Sequence, residues 1–270
     1  MSRSTPPRAA LGLAALLLTL LAGCATKPES NTPPPQPQQP PIRQQEATPQ
    51  YRAQLHTELG AGYFERGQMD VALEELDKAV QLDPNNARTY NIYGLVYGML
   101  GENPKAEQSF QRALQLAPQD SEIRQNWGWY LCMHGRARES IPEFEAAVRN
   151  PLYRNPEVAL INAGRCSASF GDVRAAEAYY RRAIQASPNN PTATYGLALL
   201  AYKEARLADA RGWMKPVMLQ TNPPPEALFL GMCIERKLND RTAELSYASQ
   251  LRNRYPNSAE TKAIDTGSCE

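Results

Sequence analysis

Between residues 53 and 65, apolar side chains fall at Leu55, Leu59, Tyr63 and Phe64, the spacing of one helix face. Gly67 interrupts the pattern, which resumes from Met69 to Leu82 with Val71, Leu73, Leu76, Ala79 and Val80 on one side. Asp83-Pro84-Asn85-Asn86 ends it, because proline cannot continue a helix and asparagine tolerates turns. The arrangement then returns 34 residues later. Leu59-Gly60 recurs as Tyr93-Gly94, Tyr63 as Tyr97, and Ala72, Leu76, Ala79 and Pro84 as Ala106, Phe110, Ala113 and Pro118. A period of that length denotes stacked helical hairpins, none of which can bury its apolar face alone. Small residues (Gly60, Ala72, Ala79) stand where two helices must approach closely, and Asn103-Pro104 predicts a helix start, a cap followed by proline at the first helical position.

This pattern resembles the tetratricopeptide repeat, and it can be followed onward. Residues 121–154 match at Trp127-Gly128, Leu131, Phe144 and Ala147, and residues 157–190 at Gly164, Ala176, Tyr180, Ala183 and Pro188. Two extra residues fall near Asn150-Pro151-Leu152-Tyr153-Arg154-Asn155-Pro156. Residues 191–224 match more loosely at Leu197-Ala198, Ala201, Ala210 and Met214, and residues 224–257 at Leu230-Gly231, Ala243, Tyr247 and Pro256. The expected fold is an all-α tetratricopeptide repeat superhelix of about six helix-turn-helix units over residues 51–257, with a polar tail at 258–270. Degenerate repeats at an end fit this, since a terminal unit has no neighbour to cover it. Pro142 and Pro216 fall inside expected second helices, so those helices either kink or have different limits.

The N-terminus does not share this pattern. Arg3 and Arg8 precede an apolar run from Leu11 to Leu21, too short to span a bilayer and flanked like a signal peptide. Leu21-Ala22-Gly23-Cys24 then matches the bacterial lipobox, so residues 1–23 read as a lipoprotein signal and Cys24 as the acylated residue. Several acyl chains on one residue suffice for stable anchoring, at about 0.8 kcal/mol per buried methylene. Ala25 lacks the acidic character associated with inner-membrane retention, which points to the periplasmic face of the outer membrane, with its lipid as a partner. Residues 24–50 then form a tether. Eight prolines and six glutamines between 25 and 50 cannot bury a core, and fully extended they would reach roughly 80 Å.

Charge and side-chain chemistry narrow the function. Loss of Arg3 and Arg8 with the signal turns a formal charge of +1 into −1, and basic residues form no stripe, so nucleic acid is not an expected partner. His56 and His134 lie on separate repeats without a ligand cluster, and no phosphate loop or nucleophile motif occurs; no enzyme, metal or cofactor is expected. Cys132 and Cys166 fall at similar levels of neighbouring first helices, where they could form a disulfide or pack as buried free thiols. Cys233 and Cys269 could also pair, depending on the path of the tail. First helices of such an array line a concave groove. Its expected contributors are Gln54, Thr57, Phe64, Asn91, Leu95, Met99, Gln125, Trp129, Met133, Ile161 and Arg165. Aromatic and methionine side chains there suit capture of an apolar peptide or helix. Ala61, Leu95 and Trp129 stand where a carboxylate clamp needs asparagine, so tail-carboxylate recognition is not expected.

Asn126-Trp127-Gly128-Trp129-Tyr130-Leu131-Cys132-Met133-His134-Gly135 is similar to a run found in type IV pilus biogenesis and stability lipoproteins, the PilW/PilF pilotin family. Asn150-Pro151-Leu152-Tyr153, Asn162-Ala163-Gly164 with Cys166, Gly171-Asp172 and Ala176-Glu177 with Tyr179-Tyr180 extend the resemblance, which covers about residues 51–257. It implies an outer-membrane lipoprotein that helps the pilus secretin localise and form its ring, and it also implies a Cys132–Cys166 bridge. The alternatives are a scaffold for another envelope assembly machine, a peptidoglycan-associated enzyme or activator, and a thiol redox protein using Cys132 and Cys166.

Overall fold

The computed structural model describes residues 48–267 and 269, so the signal peptide, Cys24 and the tether up to residue 47 lie outside the described residues. Thirteen helices and no strands occur among the described residues. The first hairpins are α1 (Pro49–Glu65) with α2 (Met69–Leu82) and α3 (Ala87–Met99) with α4 (Asn103–Leu116). Next come α5 (Ser121–Met133) with α6 (Ala137–Val148) and α7 (Pro156–Ser169) with α8 (Val173–Ala186). Then follow α9 (Pro191–Lys203) with α10 (Leu207–Met218), α11 (Pro225–Lys237) with α12 (Arg241–Arg254), and α13 (Ala259–Thr266). α1 starts at Pro49, slightly before the expected end of the tether, because the Thr48 hydroxyl accepts from the Tyr51 N–H and caps it. α4 starts one residue earlier than the Asn103 cap predicted: Asn103 is already helical and Glu102 precedes it without a side-chain cap.

Inside each hairpin, a small residue on the first helix lets a large one on the second approach. A Cβ on Gly94 would stand 2.7 Å from the Phe110 ring, which is why no side chain fits there. Phe144 and Tyr180 pack on Gly128 and Gly164 in the same way. Ala72, Ala106, Ala147, Ala176 and Ala210 are fully buried on the second helices. The turn inside each hairpin has a left-handed residue at the same place: Gly67, Gly101, Gly135 and Gly171, then Ala205 at φ 58° and Asn239 at φ 59°. Each turn closes by a bond to the carbonyl five residues back, such as Gln68 N–H to Tyr63 and Arg206 N–H to Ala201.

Between hairpins, first helices pack on first helices along α1, α3, α5, α7, α9 and α11, while the second helices stand farther apart, α6 and α8 meeting through a side-chain ion pair. The first helices therefore form the inner, more closely spaced side of the array. α6 and α10 run through Pro142 and Pro216 without ending there, each sacrificing a single backbone bond. Cys132 on α5 and Cys166 on α7 are joined across a Cα–Cα distance of 5.9 Å. Enclosing 34 residues, the bridge stabilises by about 3–4 kcal/mol on the chain-entropy account. The free-thiol alternative is set aside.

The expected polar tail is more ordered than its composition suggested. α13 is capped by the Ser258 hydroxyl, packs on α11 and α12, and leads to Cys269, which is bonded to Cys233 on α11. It covers the end of the last hairpin, the place where a terminal repeat lacks a neighbour.

Candidate partner-binding groove

The inner faces of α1, α3, α5 and α7 hold the groove residues expected from repeat position, and burial divides them. Thr57 and Asn91 are each only 1 % exposed. The Thr57 hydroxyl donates to the Ala53 carbonyl at 2.9 Å and shares a 2.7 Å hydrogen bond with the Thr89 hydroxyl of α3. Asn91 accepts from the Asn126 amide of α5 at 3.3 Å. Both residues thus belong to the joints between successive first helices, where a small polar side chain with a satisfied partner lets backbones close up. Contrary to expectation, neither Thr57 nor Asn91 is accessible for partner contact, because a neighbouring first helix covers each. Ile161 is likewise buried.

Other expected residues are accessible. Gln54 is exposed and donates to Glu58. Met99 and Met133 are 69 % and 61 % exposed, and each is the last residue of its helix, α3 and α5, which pack side by side. Trp129 is half-buried, with its ring in the cluster around the Cys132–Cys166 bridge and the Arg165 guanidinium 5.3 Å above it. Phe64 and Leu95 are half-buried and pack against the hairpin cores, Leu95 touching two of them. Gln125 is half-buried. The accessible character of this face is therefore methionine and indole, flanked by Arg165.

Leu55 and Leu59 share the helix-face spacing of Tyr63 and Phe64 but are accessible. They are 41 % and 47 % exposed because, among the described residues, α1 packs only on α2 and α3. His56 pairs with Glu75 at 2.6 Å, and Glu75 also bonds Lys78. Lys78, then His56, hold the Glu75 carboxyl below its ordinary range. His134 Nδ1 lies 2.8 Å from the Tyr130 carbonyl. His56 thus joins α1 to α2, and His134 closes the end of its own helix α5.

Arginine–carboxylate pairs brace the outer side. Arg182 on α8 binds Glu145 on α6 at 2.6 Å, and Arg206 binds Glu177 at 2.9 Å. The Arg182 bond depresses the Glu145 carboxyl, and Arg181, then Arg206, do the same to Glu177.

Tetratricopeptide-repeat family patterns match residues 60–101, 87–120, 126–191 and 168–228. The type IV pilus assembly protein PilF of Pseudomonas aeruginosa is 26% identical over 245 residues, covering 91% of this chain and 93% of its own. The crystal structure of PilW, described as a widely conserved type IV pilus biogenesis factor, superposes with a TM-score of 0.70 at 31% identity, over 78% of this chain and 97% of PilW. The solved Pseudomonas aeruginosa PilF has the same fold, with a TM-score of 0.72 at 24% identity over 82% of this chain and 99% of that one. With nearly all of PilW matched at that identity, the chain belongs to the PilW and PilF family of tetratricopeptide-repeat type IV pilus biogenesis proteins.

Proposed function

We propose that this protein is a lipid-anchored, non-catalytic scaffold at the periplasmic face of the outer membrane that binds a subunit of the pilus secretin and promotes its assembly into rings. Acyl chains on Cys24 hold it at the membrane, and the Pro/Gln-rich segment 24–50 gives it reach. The groove on the first repeats receives a segment of the secretin subunit, with Met99, Met133 and Trp129 as the apolar contacts. The observation that carries this reading is the exposed methionine pair on adjacent helices beside a tryptophan. Methionine adapts to irregular apolar surfaces, and tryptophan supplies contact area at low entropic cost. Holding a secretin subunit at the membrane raises its effective concentration for ring closure without any chemistry.

The test replaces Cys24 with alanine and follows secretin multimers in outer-membrane fractions. Loss of rings with the protein soluble in the periplasm supports anchoring as the mechanism; normal rings would remove it.

A further inference from the structure

A second cavity lies at the far end of the inner face. It has a volume of about 470 Å³ and is walled by α9, α11 and α13. Its middle is apolar: Leu199 of α9, Phe229 and Leu230 of α11, Ala263 of α13 and the Cys233–Cys269 bridge. α13 makes this a cleft rather than an open trough, and two bonds fix its end. The Tyr202 hydroxyl donates to the Cys269 carbonyl at 2.9 Å, and Arg236 donates to the Gly267 carbonyl at 3.0 Å.

The charges around this cleft are sorted by sign. Glu226 and Glu260, from the first turns of α11 and α13, stand at the Tyr195 end. Lys203 and Lys237, the last residues of α9 and α11, stand at the other end, with the Lys237 ammonium 4.3 Å from the centre of the Tyr202 ring. Among the described residues none of the four has an ion-pair partner. Nearby carboxylates behave differently: Glu235 of α11 binds Arg211, and Glu244 of α12 binds Arg236 and Arg241. The cleft thus retains two unmatched carboxylates and two unmatched ammonium groups on either side of an apolar floor.

We propose that this cleft is a second docking site, taking an extended protein segment with an apolar or aromatic centre, a basic residue at one end and an acidic residue at the other. Tyr195 and Lys203 are eight residues apart on α9, or roughly 12 Å of helix, and Glu226 and Lys237 eleven apart on α11, or roughly 16 Å. An extended chain covers that distance in about four or five residues. The apolar floor supplies affinity, and the separated charges select the ends. This site shares no residue with the groove of the first repeats, so one protein could hold two segments at once.

The test uses the oxidised protein, lacking only residues 1–23, and labelled five-residue probes with a Leu-Phe-Leu centre. Their end pairs are Lys with Glu in both orders, Lys with Lys, Glu with Glu, and Gln with Gln. By fluorescence anisotropy the mixed-charge probes should bind about fivefold more tightly than the like-charge or neutral ones, roughly what one rim ion pair supplies. In the double variant Lys203→Glu, Lys237→Glu the preference should move to the Lys-Lys probe, with the helical signal and Tm showing that the fold is kept. Failure of every probe to bind at about millimolar concentration would overturn the proposal. So would equal binding of mixed and neutral probes, an unchanged preference in the double variant, or self-association abolished by the same substitutions, which would make the occupant a second copy. The secretin takes no part in this assay, so its outcome is separate from that of the Cys24 test.

Discussion

Replacing Ala205 with glycine should make the protein more stable. In five of the six hairpin turns the left-handed position holds glycine or asparagine, the residues that tolerate it, and Ala205 alone, at φ 58°, is of a type that rarely adopts it. The left-handed conformation costs a residue with a Cβ about 1–2 kcal/mol. Glycine gives back about 0.4–1 kcal/mol by being freer in the unfolded chain. Ala205 is exposed, so losing its methyl group forfeits little packing. The closing bonds, Ala205 N–H to Tyr202 at 3.0 Å and Arg206 N–H to Ala201 at 2.8 Å, are made by backbone and survive the change. The net gain is therefore about 0.5–1 kcal/mol, or a Tm rise of about 1–4 °C for an array of this size. Repeat arrays open locally, so hydrogen exchange should show slower opening in α9 and α10 and little change in α1 to α4. An unchanged or lower Tm, or protection that does not increase around this turn, would refute the reasoning.

Other expectations follow from packing and charge. Gly196→Ala should destabilise by about 1–2 kcal/mol, because its Cβ would stand 2.5 Å from the Tyr180 ring, which Gly164 already confines on the other side; thermal unfolding measures it. Acid should loosen the middle repeats. The depressed Glu145 and Glu177 carboxyls contribute stability that is full above their unfolded values, about pH 4.3, and fades as pH falls through their lower folded values. Stability at pH 6 and at pH 3 should therefore differ less in Glu145→Gln than in the unmodified protein, as urea unfolding at the two pH values would show.

Most of the fold was legible because its cause is periodic. The glycine opposite an aromatic ring, the alanine inside each second helix and the proline after it recur at fixed spacing, and α2 has the limits expected from its pattern. What was hidden depends on the ends of the array and on the third dimension. Leu55 and Leu59 have the spacing of a core face yet are accessible, since among the described residues α1 packs only on α2 and α3. Residues 258–267 look polar, yet form a helix because Cys269 is drawn to Cys233 and Thr261 is buried against the preceding turn. The groove was legible only in part. Repeat position placed Thr57, Asn91, Met99 and Met133 on one face, but position alone does not say which side chains a neighbouring helix covers. Small polar residues were covered, and long methionines at helix ends stayed accessible. The cleft under α13 had no local signal, because its three walls come from elements far apart in the chain.

The central claim is that the accessible methionine–tryptophan face of the first repeats holds a secretin subunit. The direct measurement is co-purification of secretin with the lipidated protein from detergent-solubilised outer membranes, comparing the unmodified chain with Met99→Glu, Met133→Glu. Both side chains are exposed, so the double variant should fold and reach the membrane normally. The account predicts that secretin recovery falls at least tenfold and that multimers decline with it. Secretin recovered at the unmodified level by a correctly folded, membrane-bound double variant would contradict it.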